Sequence, residues 1–430
     1  MSQATEAGPA TTQPARLPPT LDTGAIGWMR KNLFSSVGNS ITTILVVAFI
    51  VWILSWFVDW ALLQATFQAE SGKDCAKSHG ACWALIGEKY RYIFFGSFPY
   101  EQHWRPLFAI ITMIAMLLLS SDRRMWNWRL AIIWTVGSFI TFVLMFGEIF
   151  IPVTLIFVLA LIAGLAGYLI RRKVAESGER IAYVALAGLG IAYVLLRLIG
   201  VLPSVSIPVT PFSYVETGNW GGLAVTMIVA TYGLAAAFPY GILLALGRRS
   251  KLPLIRGLCI GFIELIRGVP LISLLIMASV MLPLFLPAGM NFDKLLRAQV
   301  AVILFAGAYI AEIVRGGLQS LPKGQFEAAD AMGLNYAQKT AFIVLPQALR
   351  VVIPPLINTF IGFFKDTSLL LIIGIFDFLS TANQALVDPV WTGYPGEVYL
   401  FAAAVYFCFC YSMSRYSKYL ERELNKGTQR

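Results

Sequence analysis

Long apolar runs separated by short charged loops set the pattern of this chain. Runs at 41–63, 106–121, 130–147, 152–170, 181–200, 221–247, 257–286, 296–315, 348–365 and 397–414 approach the roughly 20 residues that a helix needs to cross a bilayer. Apolar and polar residues do not alternate within them, which argues against barrel strands. In hydrocarbon the backbone must satisfy its own hydrogen bonds, so such runs predict helices. The expected fold is an all-α polytopic membrane protein of about ten transmembrane helices. The run at 106–121 is short. The run at 257–286 is long and is interrupted by Gly268 and Pro270, which predicts a broken or kinked helix.

Composition fits that picture. The 430 residues are 58% hydrophobic and 13% charged, with a mean hydropathy of +0.71. The formal net charge of +10 would suggest nucleic acid in a soluble protein. Here the cations stand between apolar runs, so they read as topology, with the lipid bilayer as partner and no nucleic acid. Arg30 and Lys31 precede the first run. Arg123, Arg124 and Arg129 follow the second, and Arg171, Arg172, Lys173 and Arg180 follow the fourth. Arg248, Arg249, Lys251 and Arg256 follow the sixth, and Arg315, Lys323, Lys339 and Arg350 flank the polar stretch after the eighth. With ten runs all of these fall on one side, whereas loops 148–151, 201–220 and 366–396 hold no Lys or Arg. Positive residues mark the cytoplasm, which puts both termini there. Loop 64–105, with Lys73, Lys77, Lys89, Arg91 and Arg105, is an exception whose length reduces its weight. The expected organisation is a disordered cytoplasmic tail at 1–28, then an N-terminal extension at 29–215 with five runs and a periplasmic loop at 64–105. A core at 216–418 follows with five runs and nearly all the polar motifs, and a short cytoplasmic tail at 419–430 closes the chain.

One polar stretch carries most of the chemistry. Residues 327–346 read EAADAMGLNYAQKTAFIVLP. Ser320 can cap a helix start, Gly333 can take the left-handed conformation that ends one, and Asn335 can cap a second. Pro346 limits how far that second helix runs unkinked. The expectation is a short helical elbow over 320–346. Phe326, Ala329 and Met332 share one face, suited either to a partner's groove or to packing on the protein itself. Small Ala328 and Ala329 allow close backbone approach.

Ionisable residues inside apolar runs are candidates for function. Glu264 and Arg267 lie three apart and can pair, just before the break at Gly268–Pro270. They read either as part of a site for a substrate with both a carboxylate and an ammonium group, or as a structural ion pair. Glu312 and Arg315 repeat the spacing, and read as an anchor for the elbow or as partners of the first pair. Lys365, Asp366, Thr367 and Ser368 end the ninth run, on a pathway or at a helix cap, and Asn358 and Thr359 are further pathway candidates. Trp52, Trp56 and Trp60 form a stripe four apart, and Gly257 and Gly261 a GxxxG pair. Cys75 and Cys82 share a polar loop and are close enough to pair, with two free thiols as the other reading. His79 and His103 show no metal-ligand spacing, so no metal site is expected.

Glu327-Ala328-Ala329, three residues, Gly333, nine residues, Ile343, one residue and Leu345-Pro346 match the EAA signature of membrane subunits of bacterial ATP-binding-cassette importers in every fixed letter and every gap. From Trp220 to about Tyr419 the chain resembles their amino-acid branch, the histidine-type permease family, through GGLAVTMIVATYG, FIELIRGVPLISLL, AYIAEIVRGGLQSLPKGQFEAADAMGL and VLPQALRVVIPPLINTFIGFFKDTSLL. GWMRKNLFSS, GACWALI and FPYEQHWRP are similar to the long permease subunit of general L-amino-acid importers, the Aap/Bzt type. The resemblance implies a permease of the bacterial inner membrane that moves L-amino acids from periplasm to cytoplasm by alternating access. It implies an ATPase dimer docked on the elbow, a second related permease and a periplasmic amino-acid-binding protein. The chain lacks GxxxxGK[ST], so no cofactor is expected in it, and ATP and Mg would be used by the partner ATPase. The alternative is an ion-coupled secondary amino-acid transporter, which leaves the elbow without a job.

Overall fold

The computed structural model describes residues 24–122, 125, 128–147, 150–152, 185, 188, 190–193, 206–208, 213–285, 287 and 292–425. The chain forms two compact units, one ending at Ala84 and the other beginning at Leu85. Among the described residues seven helices are long and apolar enough to cross a membrane, or eight when one sharply bent pair counts as a single span. The protein is an all-α polytopic membrane protein whose described strands are one short pair. The expected runs 152–170 and 181–200, and residues 1–23 of the expected disordered tail at 1–28, lie almost wholly outside the described residues, while the end of that tail is ordered as the start of a helix, Gly24–Asn32.

In the first unit, Ser36 caps α1 (Val37–Val58) by accepting from the Asn39 N–H at 3.2 Å. The helix widens into a π turn over Asp59–Leu63, where Trp56 and Trp60 stack at 6.2 Å. The chain then folds back, and the Ala81 N–H donates to the Trp60 carbonyl at 2.8 Å. A Cβ at Gly80 would sit 2.1 Å from the Gln64 carbonyl oxygen, so only glycine allows this return. Cys75 and Cys82 are joined by a disulfide across the same loop, Cα to Cα 5.6 Å. Helix α2 (Trp83–Phe95) begins here and continues into the second unit.

In the second unit α3 (Trp104–Ser121) and α4 (Trp128–Phe146) pack side by side. Arg105 joins them although it is fully buried: its Nε donates to the Leu144 carbonyl at 2.8 Å and its Nη2 to that of Met145 at 3.2 Å. A cation over the C-terminal carbonyls of α4 is the favourable end of the helix dipole. Arg105 is therefore a buried clamp and no loop charge, which removes it from the topological exception. Strands β1 (Phe150–Pro152) and β2 (Ser206–Pro208) pair antiparallel with Ile151 opposite Ile207. They pair loops 148–151 and 201–220, two of the three cation-free loops expected on one side.

The core is built on α5 (Gly222–Arg248), α6 (Pro253–Gly268), α7 (Leu271–Ile276) and α8 (Lys294–Ser320). Helices α5 and α8 lie along one another at close range. A Cβ at Gly241 would meet Ile310 Cγ2 at 2.7 Å, and one at Gly307 would meet Tyr240 Cδ1 at 2.4 Å. Small residues that let backbones approach are how helices pack without a hydrophobic drive in lipid. The expected break is present: α6 ends at Gly268, Val269 is extended, and the two arms bend by 104°. Pro270 has no N–H and cannot continue the ladder.

One expectation about the elbow changes. Ser320 is the last residue of α8 and its hydroxyl donates to the Gly317 carbonyl at 2.9 Å, so it caps nothing downstream. Leu321 and Pro322 are extended, and the next helix, α9 (Lys323–Ala331), starts after them. At Pro346 the second helix continues, but its regular α ladder gives way to a π stretch just before the proline. Helix α10 (Tyr336–Gln338) runs through a π stretch, Lys339–Val344, into α11 (Leu345–Asp366) as one path of 38 residues to Ile373. A π bulge breaks the regular i to i−4 ladder, which accommodates a proline at the junction. Helices α12 (Phe378–Ala385) and α13 (Pro395–Asn425) complete the unit.

The compact unit with the core also holds residues 85–147 of the expected extension. Gly222, at φ +65°, would place a Cβ 2.3 Å from the Phe94 carbonyl oxygen, and the Thr381 hydroxyl donates to Ile93 O at 2.8 Å. Lys89 pairs with Asp388 at 2.6 Å. Helix α2 is thus seated on the start of α5 and on α12.

Candidate coupling elbow and its ion-pair cluster

Helix α9 ends in a Schellman motif. The Leu334 N–H donates to Ala329 O at 3.2 Å and the Gly333 N–H to Asp330 O at 2.9 Å, with Gly333 at φ +72°. Asn335 then caps α10 in a reciprocal box with Gln338, at 2.9 and 3.1 Å. Lys339 pairs with Asp330 across the corner, and Gln347 Nε2 donates to Gln325 Oε1 at 3.0 Å. Local caps and cross-links together make the elbow a fixed angle.

The expected docking face does not hold as one surface. Ala329 is 1% exposed and Phe326 is half-buried, with the Arg249 guanidinium 5.4 Å above its ring. Both face the protein's own helices, because a helix that lies on its parent must turn one stripe inward. Met332 is 67% exposed, and Glu327, Ala328 and Gly333 are exposed with it. Tyr336 and Phe342 extend the outward side at 62% and 73% exposure. The free face of the elbow is therefore Glu327, Ala328, Met332, Tyr336 and Phe342.

Above the elbow lies a cluster of five charges from three helices. Arg248 reaches Glu264 at 3.0 Å and Glu312 at 3.2 Å. Arg267 stands 3.8 Å from Glu312 and over the Tyr309 ring at 5.4 Å, and Arg315 Nε donates to Glu312 at 3.0 Å. Glu312 is the hub. The expected pairing of Glu264 with Arg267 is replaced by cross-helix partners, since Arg267 finds both a carboxylate and a ring face on α8. The expected link of Glu312 and Arg315 to that pair is present. Arg249 donates to Leu318 O at 3.1 Å while it covers Phe326, so the end of α5 touches both α8 and the elbow. Neither Arg248 nor Arg249 was marked by the sequence as more than a topological charge. Their place immediately after the apolar run was the available signal.

The other pathway candidates stay apart from this cluster. Asp366 and Thr367 line a cavity of about 10 Å³ with Leu271, Leu275 and Phe363. That is room for about one water, so the cavity as it stands is closed to an amino acid. Asn358 and Lys365 are exposed, Ser368 is half-buried, and the Thr359 hydroxyl donates within its own helix to Pro355 O at 3.0 Å. The glycines at 257 and 261 meet nothing within 4 Å of an added Cβ, so no close contact among the described residues uses them.

The broken span, the fixed elbow and the charge cluster define a polytopic membrane protein with a helical elbow between two of its spans. Residues 237–426 match the family described as binding-protein-dependent transport system inner membrane component. Over 410 residues the chain is 41% identical to the inner membrane amino-acid ABC transporter permease protein YhdY of Escherichia coli (strain K12), covering 94% of each. Over 422 residues it is 37% identical to the glutamate/glutamine/aspartate/asparagine transport system permease protein BztC of Rhodobacter capsulatus, covering 95% of each. The L-cystine transport system permease protein TcyB of Bacillus subtilis is 33% identical, over 50% of this chain and 92% of that one. The chain belongs to the amino-acid ABC transporter permeases and is a permease subunit of an ATP-driven importer.

Proposed function

We propose that this subunit carries L-amino acids from periplasm to cytoplasm as half of a heterodimeric permease. An ATPase dimer would grip the elbow, and a periplasmic amino-acid-binding protein would deliver the substrate. The names of the similar permeases support the substrate class, and the excess of cations on the elbow side supports an inner-membrane setting with both termini cytoplasmic. Hydrolysis of ATP belongs to the partner, in keeping with the absence of a phosphate loop from the sequence. Family membership leaves the ion-coupled alternative without support.

The observation that carries the reading is the double attachment of the elbow. Its outer face is free, and its inner face is held by Arg249 and Ala329 beneath the Glu312 cluster. A push on the free face would pass through Arg249 and α8 to the pairs with Arg248 and Arg267, and so to the broken span. The coupling residues are Glu327, Ala328 and Met332 outward, Phe326 and Ala329 inward, and Gly333 at the corner. Glu264, Arg267 and Glu312 then gate the cytoplasmic side, with Asp366 and Thr367 deeper on the route. The extension at 29–215 supplies further spans and the loop that faces the periplasm.

The test is substrate-stimulated ATP hydrolysis by the reconstituted complex. Glu327→Ala and Gly333→Ala are expected to lower it about tenfold, the scale of an ordinary coupling free energy, while the subunits still co-purify. Wild-type stimulation in both variants would remove the elbow from the mechanism.

A further inference from the structure

At the end of α8 opposite the elbow, the structure holds a polar cleft of about 420 Å³. Helix α8 has 27 residues, which at 1.5 Å per residue sets the cleft about 40 Å from the elbow. Its walls include Glu216, Trp220, Phe292, Lys294 and Arg297. Asp293 also lines it but is already engaged: it caps α8 by accepting from the Leu295 and Leu296 N–H groups, and it accepts from the Thr217 hydroxyl.

Three charges remain available. Arg297 is 9% exposed, and one of its nitrogens donates to Ser279 O at 2.6 Å. Its Nε has no hydrogen-bond partner among the described residues. Leaving a buried guanidinium N–H unmatched is costly, and a carboxylate in the cleft would match it. Lys294 and Glu216 are exposed and have no ion-pair partner among the described residues. Two cations and one anion in one cleft suit a solute that carries a carboxylate and an ammonium group on adjacent atoms. The volume falls within the roughly 300–1,000 Å³ of small-molecule sites.

We propose that this cleft is an entry site for the α-amino and α-carboxylate groups of an amino acid. Arg297 and Lys294 receive the carboxylate, Glu216 receives the ammonium group, and the side chain stays in the open mouth. The site accepts substrate at the outer face before the central route opens, and it is separate from the cavity at Asp366. The proposal rests on the reading that this end of α8 faces the periplasm.

The experiment uses the whole complex in intact cells. Gly218 is exposed and lines the cleft, and a Cβ there meets nothing within 4 Å among the described residues, so Gly218→Cys provides the probe. A membrane-impermeant maleimide should label it, with the parent chain as the blank. L-alanine should protect it from labelling, whereas L-alaninamide and propionate, each lacking one charge, should not. Glu216→Gln and Lys294→Gln, both at exposed positions, should each raise the half-protecting L-alanine concentration about tenfold. Labelling without protection, equal protection by alaninamide, or protection unchanged in both variants overturns the entry site and leaves the orientation standing. Absence of labelling in intact cells, with labelling after permeabilisation, overturns the orientation itself.

Discussion

Two segments of equal length behave in opposite ways. Val37–Leu63 and Lys294–Ser320 both have 27 residues. The first has a mean hydropathy of 2.5 and none of its most apolar window is buried, whereas the second has 1.6 with 56% buried. In this pair the more apolar helix is the less buried, the reverse of what a soluble protein would show. Lipid tails are as apolar as leucine, so a helix gains nothing by hiding leucine from them. Position in the bundle is fixed instead by small residues and by polar groups that need partners. The buried face of α8 carries Arg297, Ala301, Gly307, Ala311 and Gly317, while the outside of α1 shows Leu45, Val47 and Phe49.

The sharpest way to break this comparison is to enlarge a glycine on the seam. Gly241→Leu would drive a side chain into Ile310 and the Gly307 carbonyl, which lie 2.7 and 2.8 Å from an added Cβ. The cost should be ~3 kcal/mol or more, at the upper end of overpacking. Leu45→Ala, at a position 64% exposed, should cost less than about 0.5 kcal/mol. Thermal unfolding of the two variants in detergent, followed by size-exclusion recovery, measures both. Equal losses would mean that apolar area holds this fold together after all.

A smaller effect sharpens the polar half of the comparison. Glu312→Ala leaves Arg248, Arg267 and Arg315 near one another without their shared carboxylate. The side chains are about a quarter exposed, so solvent screens part of the repulsion, and the loss should be ~1–3 kcal/mol. Glu264→Ala should cost less, because its side chain is 55% exposed and its partner, Arg248, retains Glu312. A larger loss at Glu264 than at Glu312 would show that the hub has been placed on the wrong residue.

These residues also show what the sequence could reveal. Gly333, Asn335 and the break at Gly268–Pro270 are local devices, in which a neighbour a few residues away satisfies the backbone. They were legible with their conformations. The cross-helix partners were not, because spacing along α6 allows Glu264 to meet Arg267 while packing offers each a better contact elsewhere. Arg105 misled for the same reason: a guanidinium beside polar residues reads as a loop charge until α4 brings its carbonyl end over it. Phe326 and Ala329 were placed on a face correctly by helical period, but period alone does not say which way a face turns. The EAA signature made the elbow itself, and the family, readable before any coordinates.

The smallest effect concerns the seat of α2 on the core. Lys89 hydrogen-bonds Asp388 and holds its carboxyl below the usual range for an aspartate, helped by the Val390 N–H at 2.9 Å. A carboxyl whose pKa is lowered in the folded state stabilises above its unfolded pKa, and that contribution is lost as pH falls through the folded one. The pair therefore contributes at pH 7 and fades below about pH 4, the ordinary aspartate value. Asp388→Asn should lower the unfolding temperature slightly at neutral pH, and the gap from the wild type should close in acid. Both groups are exposed enough for salt to weaken the pair, so high salt at neutral pH should close the same gap. A gap that widens as pH falls would mean that Asp388 is protonated in the folded protein, and that glycine packing at Gly222 and the Thr381 hydrogen bond hold α2 without help from charge.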